Sequence, residues 1–113
     1  MTAQHGSSQA EKKSLFAMLE ARLDQGQRLA AAGQHRRALD TYRDVLALLR
    51  RQKPTPGRDG LLAAAYLLAY QSLRATRHRE AGAQLQRGVS YARTSRDPQA
   101  RALAQACLES AGE

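Results

Sequence analysis

The sequence predicts an all-α domain, and three observations carry that expectation. Alanine (22) and leucine (16) supply a third of the 113 residues, whereas isoleucine is absent and only two valines and five threonines occur. β-Branched and aromatic residues are what strands are usually built from, so a chain this poor in both has little with which to make a sheet. Apolar residues recur at helical spacing through five segments, three of whose four boundaries carry glycine, proline or Asp-Pro punctuation. A chain of 12.4 kDa has room for one core.

Residues 1–10, MTAQHGSSQA, are small and polar without periodicity and are expected to form a disordered leader. Ser8 with Glu11 has capping-box spacing and is expected to open the first helix. Leu15, Leu19, Leu23, Gly26 and Ala30 then form one stripe, and Gly33 supplies the left-handed residue that ends it. The second helix is expected from about Gln34 to Arg51, burying Ala38, Tyr42, Val45, Leu46 and Leu49. KPTPGRDG (53–60) reads as the main loop, since two prolines and two glycines would break a helix interior. The third helix, about 59–75, is apolar on nearly all sides (LLAAAYLLAYQSL) and is expected to be the most buried. The fourth, about 78–93, turns Ala81, Leu85, Gly88, Val89 and Ala92 inward. Asp97 followed by Pro98 pairs an N-cap with proline at the first helical position, opening a fifth helix over about 98–111. That helix is expected to bury Leu103, Ala106 and Cys107.

The chain carries 18 basic and 10 acidic residues, a net charge of +8, and 15 of the basic residues are arginine. Residues 34–113 hold most of the excess. Such a charge draws polyanions, whether nucleic acid, an acidic protein or anionic lipid. Arg36, Arg43 and Arg50 on the second helix, and Arg79, Arg87 and Arg93 on the fourth, are the candidate basic surface. Asp40 lies within helical reach of Arg36 and Arg43, and such exposed pairs contribute only about 0.3–0.5 kcal/mol each.

No apolar run is long enough to span a bilayer, and the N-terminal residues contain no apolar signal core. The expectation is a soluble, cytoplasmic protein. A lone cysteine, Cys107, leaves no disulfide framework and no cysteine-rich zinc site. Its apolar neighbours predict an inert, buried thiol. No HExxH, carboxylate cluster, phosphate loop or Cys–His dyad is present, so neither an enzyme nor a cofactor or metal requirement is expected. His35 and His78 are expected to serve packing or turns. Phe16 and Tyr91 are expected to pack hairpins, although Phe16, off the leucine stripe, is also placed to face a partner.

An internal repeat organises these elements. Gln34-His35-Arg36-Arg37-Ala38 matches Arg77-His78-Arg79-Glu80-Ala81 at an offset of 43 residues. Beyond the alanine, Tyr42 corresponds to Leu85, Val45 to Gly88 and Leu46 to Val89. In Gly26, Gly33, Ala38 and Tyr42 of the first hairpin, and Leu68-Ala69, Ala81, Leu85 and Gly88 of the second, the chain resembles a tetratricopeptide (TPR) repeat protein over about residues 19–94. Arg22, Gln25 and Thr76 depart from that pattern, and the offset exceeds the usual repeat of about 34 residues. A three-helix bundle of the microtubule-interacting-and-trafficking type shares the AL-x-x-Y helix but leaves the recurring block unexplained.

The resemblance implies two TPR-like antiparallel hairpins in a right-handed superhelical stack, about 11–52 and 59–94, plus a capping helix at 98–111. It further implies a non-catalytic adaptor that binds a peptide or protein through a concave groove. Carried over by position, the groove would comprise Glu20, Leu23 and Gln27 with Ala63, Tyr66, Tyr70 and Arg74. The family's clamp for acidic tails uses asparagine, and this chain has none. Two alternatives stay open: a basic nucleic-acid-binding domain, or an assembly subunit whose basic face meets an acidic partner. Homodimerisation would cover the apolar ends of so short an array.

Overall fold

A computed structural model describes residues 3–112, with side chains from Glu11 onward except Lys12. Among the described residues there are five helices and no strand: α1 (Ala3–Ala31), α2 (His35–Arg50), α3 (Pro56–Ala75), α4 (Ala81–Thr94) and α5 (Pro98–Ala111). No helix among them is long and apolar enough to cross a membrane. At 29 residues, α1 is about 43 Å long at 1.5 Å per residue, and it sets much of the 55 Å long dimension.

Helix α1 begins at Ala3 rather than near Ser8, so residues 3–10 extend the helix instead of forming a leader; Met1 and Thr2 lie outside the described residues. Once a helix exists, each added residue brings one hydrogen bond without a new nucleation cost, and nothing in AQHGSSQA forbids it. Helix α3 likewise starts inside the expected loop. Thr55 caps it, its hydroxyl accepting from Arg58 N–H at 3.1 Å, with Pro56 at the first helical position. Proline and glycine that would break a helix interior are harmless in its first turn, where the N–H groups have no intrahelical partner. The connection is left with only Arg51–Thr55. Asp97 and Pro98 open α5 as the sequence predicts, with the Asp97 carboxylate accepting from Gln99 N–H at 3.0 Å.

The two interhelical turns after α1 and α3 share one geometry. Gly33 (φ 79°) donates to Ala30 O, and Gln34 N–H to Leu29 O at 2.8 Å. After α3, Arg77 (φ 56°) donates to Arg74 O, and His78 N–H to Leu73 O at 2.8 Å. Both are Schellman closures. The counterpart of Gly33 is therefore Arg77, not Thr76, although the buried faces of α2 and α4 keep the 43-residue offset. From Arg77 the inward-facing Ala81 is four residues away, whereas Ala38 is five from Gly33, and α4 starts later, four residues past its turn residue instead of the two for α2. His78 and Arg79 consequently lie in the turn, and α4 begins at Ala81.

Helix α3 touches all four others, while α1 packs on α2 and α3, and α5 on α3 and α4. The backbones of α2 and α4 do not approach each other. One core cluster joins α1, α2 and α3 around Leu19, Tyr42, Leu49 and Leu62. A second joins α3, α4 and α5 through Ala63, Leu67, Tyr70, Ala92, Ala104 and Cys107. Ala106, expected inside, is exposed; Ala100 and Ala104 take the buried positions of α5 with Cys107.

Candidate functional site

Three helices that follow one another across the molecule, α1, α3 and α5, share an open groove of about 300 Å³. From α1 come Glu20, Leu23, Asp24 and Gln27, spaced i, i+3, i+4 and i+7 and therefore on one face. Helix α3 contributes Gly60, Leu61, Ala64 and Leu68. The α5 side adds Asp97, Gln99, Ala100 and Leu103. Leu23, Leu61, Leu68 and Ala100 are buried and make an apolar floor. Glu20, Asp24, Gln27, Asp97 and Gln99 are exposed and make a polar rim.

Of the residues the TPR resemblance selects, Glu20, Leu23 and Gln27 line this groove together. Ala63, Tyr66 and Tyr70 do not, because their face of α3 is packed under other helices. Tyr66 is 4% exposed and stacks on Tyr91 of α4, with ring centroids 5.8 Å apart and planes 3° from parallel. Its hydroxyl accepts from Arg50 Nη2 at 2.6 Å. Tyr70 is 5% exposed beneath α5. Tyr70 and Arg74 border a separate cleft of about 350 Å³ between α3 and α5, where Arg74 donates to Ser110. The stripe of α3 that meets the groove is instead Leu61, Ala64 and Leu68. An i, i+3, i+7 stripe broken by a small residue is readable in the sequence, but a helix apolar on every side offers several such stripes.

The remaining candidates are distributed as follows. Arg36, Arg43 and Arg50 on α2, Arg79 in the turn, and Arg87 and Arg93 on α4 are all exposed. Asp40 pairs with Arg43 at 4.0 Å, and Arg50 is engaged with Tyr66. His35 Nδ1 is hydrogen-bonded to the buried Ser72 hydroxyl at 3.0 Å, tying the start of α2 to α3. His78 Nδ1 accepts from Glu80 N–H at 3.1 Å within its turn. The equivalent histidines thus do different structural work. Among the described residues no three His, Cys, Asp or Glu side chains converge as a metal set would. Burial pushes the Cys107 thiol up, against smaller opposing effects of the Gln71 hydrogen bond and the Arg74 charge. A thiol held protonated is a poor nucleophile. Burial also raises the Tyr42 phenol to about 12. Phe16 and Tyr91 are both half-buried against the first core cluster.

Comparison with family models, curated proteins and solved structures finds no match to this chain.

Proposed function

We propose that this protein is a small non-catalytic adaptor of the cytoplasm, built as two TPR-like hairpins with a capping helix, that binds a peptide or protein partner in the α1–α3–α5 groove. The groove itself carries the reading: an open trough with an apolar floor and polar rim, crossing three helices. Binding troughs are commonly apolar with a few polar groups that orient the ligand. The packing order supports the repeat part of the proposal. In a hairpin array, the first helices of successive units lie side by side and each second helix packs between neighbours, as α1, α3 and α5 do relative to α2 and α4.

The test is retention of proteins from a nuclease-treated lysate of the source organism, at low and high salt. Ala64→Phe, which fills the groove, is the control. A discrete protein that survives nuclease and salt and is lost with Ala64→Phe is expected. Recovery that ignores Ala64→Phe would remove the groove from the function.

A second reading rests on Arg36, Arg79, Arg87 and Arg93, which are exposed and enter no ion pair among the described residues. Phosphate binding by these groups would weaken linearly with salt on a log–log plot and would not respond to Ala64→Phe.

A further inference from the structure

We infer that the occupant of the groove is a short cationic amphipathic helix, an inference that rests on the groove being the binding surface. The observation is a separation of charge. The chain holds 18 basic residues, yet no lysine or arginine lines the groove. Three of its ten carboxylates do: Glu20, Asp24 and Asp97. Among the described residues none of the three is in an ion pair.

The three are not equivalent. Asp97 is committed to capping α5, and the positive end of that helix offsets part of its charge. Arg96 lies in the adjoining cleft with Phe16, Glu20 and Asp97. The groove's uncommitted carboxylates are therefore Glu20 and Asp24, one helical turn apart on α1. A concave, low-dielectric wall focuses the field of such groups. An acidic segment is attracted to the molecule at a distance but repelled at this site. A cationic one finds here two exposed carboxylates, Glu20 and Asp24, that no lysine or arginine pairs among the described residues.

Conformation follows from the same lining. An all-helical wall offers no unpaired strand edge for an extended chain to extend, so recognition falls to side chains. Leu23, Leu61 and Leu68 on the floor suit apolar anchors at i, i+3 and i+4. Lysines or arginines flanking those anchors then reach Glu20 and Asp24 on the rim.

The experiment is fluorescence anisotropy of the full chain with three labelled peptides at physiological salt. The first is a leucine–lysine peptide with leucines at helical spacing, the second replaces each lysine by glutamate, and the third scrambles the first. The first is expected to bind at least about tenfold more tightly than either other peptide. Glu20→Gln with Asp24→Asn should weaken it about fivefold or more, and Ala64→Phe about tenfold. Should Ala64→Phe fail to fold, as its circular dichroism would reveal, Glu20→Arg with Asp24→Arg on the exposed rim is the substitute. Preference for the glutamate peptide, lost on Ala64→Phe, would overturn the charge inference and leave the groove reading standing. Lysine-peptide binding indifferent to every groove variant, or no binding of any peptide, would overturn both. Equal binding of the scrambled peptide would reduce the effect to charge alone and overturn the amphipathic helix.

Discussion

Two residues with positive φ hold the molecule's corners, and only one of them is glycine. At Gly33 the left-handed conformation is free of steric cost, whereas at Arg77 a Cβ must be accommodated, costing about 1–2 kcal/mol. Both turns nevertheless close with the same pair of backbone hydrogen bonds. Arg77→Gly is therefore expected to stabilise the chain, by roughly 0.5–1 kcal/mol once the greater freedom of glycine in the unfolded state is deducted. Gly33→Ala should destabilise it by a similar amount, roughly 0.5–1 kcal/mol, since a Cβ at Gly33 has no atom within 4 Å and the φ penalty outweighs the gain from a stiffer unfolded chain. Urea midpoints of both variants decide it. Equal and opposite shifts support the account, and a destabilised Arg77→Gly would show that the Arg77 side chain contributes something its backbone does not reveal. The turn at Gly33 was legible because glycine announces itself. Its partner was not, because an arginine in the left-handed region leaves no mark in the sequence, and the repeat alignment pointed one residue away, to Thr76.

At the scale of the helix pair, contact distance is set by glycines whose removal the neighbouring helix cannot absorb. A Cβ built on Gly26 of α1 would lie 2.3 Å from Tyr42 Cε1 of α2, and one on Gly88 of α4 would lie 2.6 Å from Leu67 Cγ of α3. Tyr42 is 1% exposed and has little room to turn aside. Gly26→Ala should therefore lower stability by about 1–3 kcal/mol, the usual cost of overpacking, despite alanine's better helix propensity. Combining it with Tyr42→Leu, which withdraws the ring, should cost clearly less than the two single changes added together. Additive losses in that double-mutant cycle would mean that Gly26 and Tyr42 matter for separate reasons. The same distances explain how much of the fold the sequence disclosed. The stripes of α1, α2 and α4 were readable because their polar faces are plain, and Gly26, Tyr42 and Gly88 stood out within them. Helix starts were less readable: proline and glycine at 54–60 mark both a loop and a first turn, and Thr55 decides between them. The groove was half legible. Carried over by position from the repeat resemblance, Glu20, Leu23 and Gln27 of α1 fall together along one trough, whereas α3, apolar on all sides, left Tyr66 and Leu68 indistinguishable by pattern.

Across the whole molecule, α3 belongs to both core clusters, while α1 and α2 meet neither α4 nor α5 through their backbones. In the proposed hairpin array, each end is held by α3 and hardly by the other end. Such an arrangement should come apart from its ends, since local opening costs only the contacts actually broken. Ala104 of α5 is 6% exposed within the second cluster, among Ala63, Tyr70 and Cys107. Ala104→Asp places an unpaired carboxylate there, a change that costs several kcal/mol unless the helix lifts away or the group is protonated. Native-state hydrogen exchange of the full chain is the measurement. In the unsubstituted protein, amides of α3 should exchange last. In Ala104→Asp, protection across α5 and α4 should fall by about a hundredfold, corresponding to roughly 3 kcal/mol, with amides of α1 and α2 much less affected. A uniform loss through all five helices would instead mark a single cooperative unit and sink the array description. The graded result would also bear on binding, because α5 forms one wall of the groove. A ligand that bridges α1 and α5 would then restore protection at the far end from its own contacts, by linking two ends that the fold itself joins only through α3.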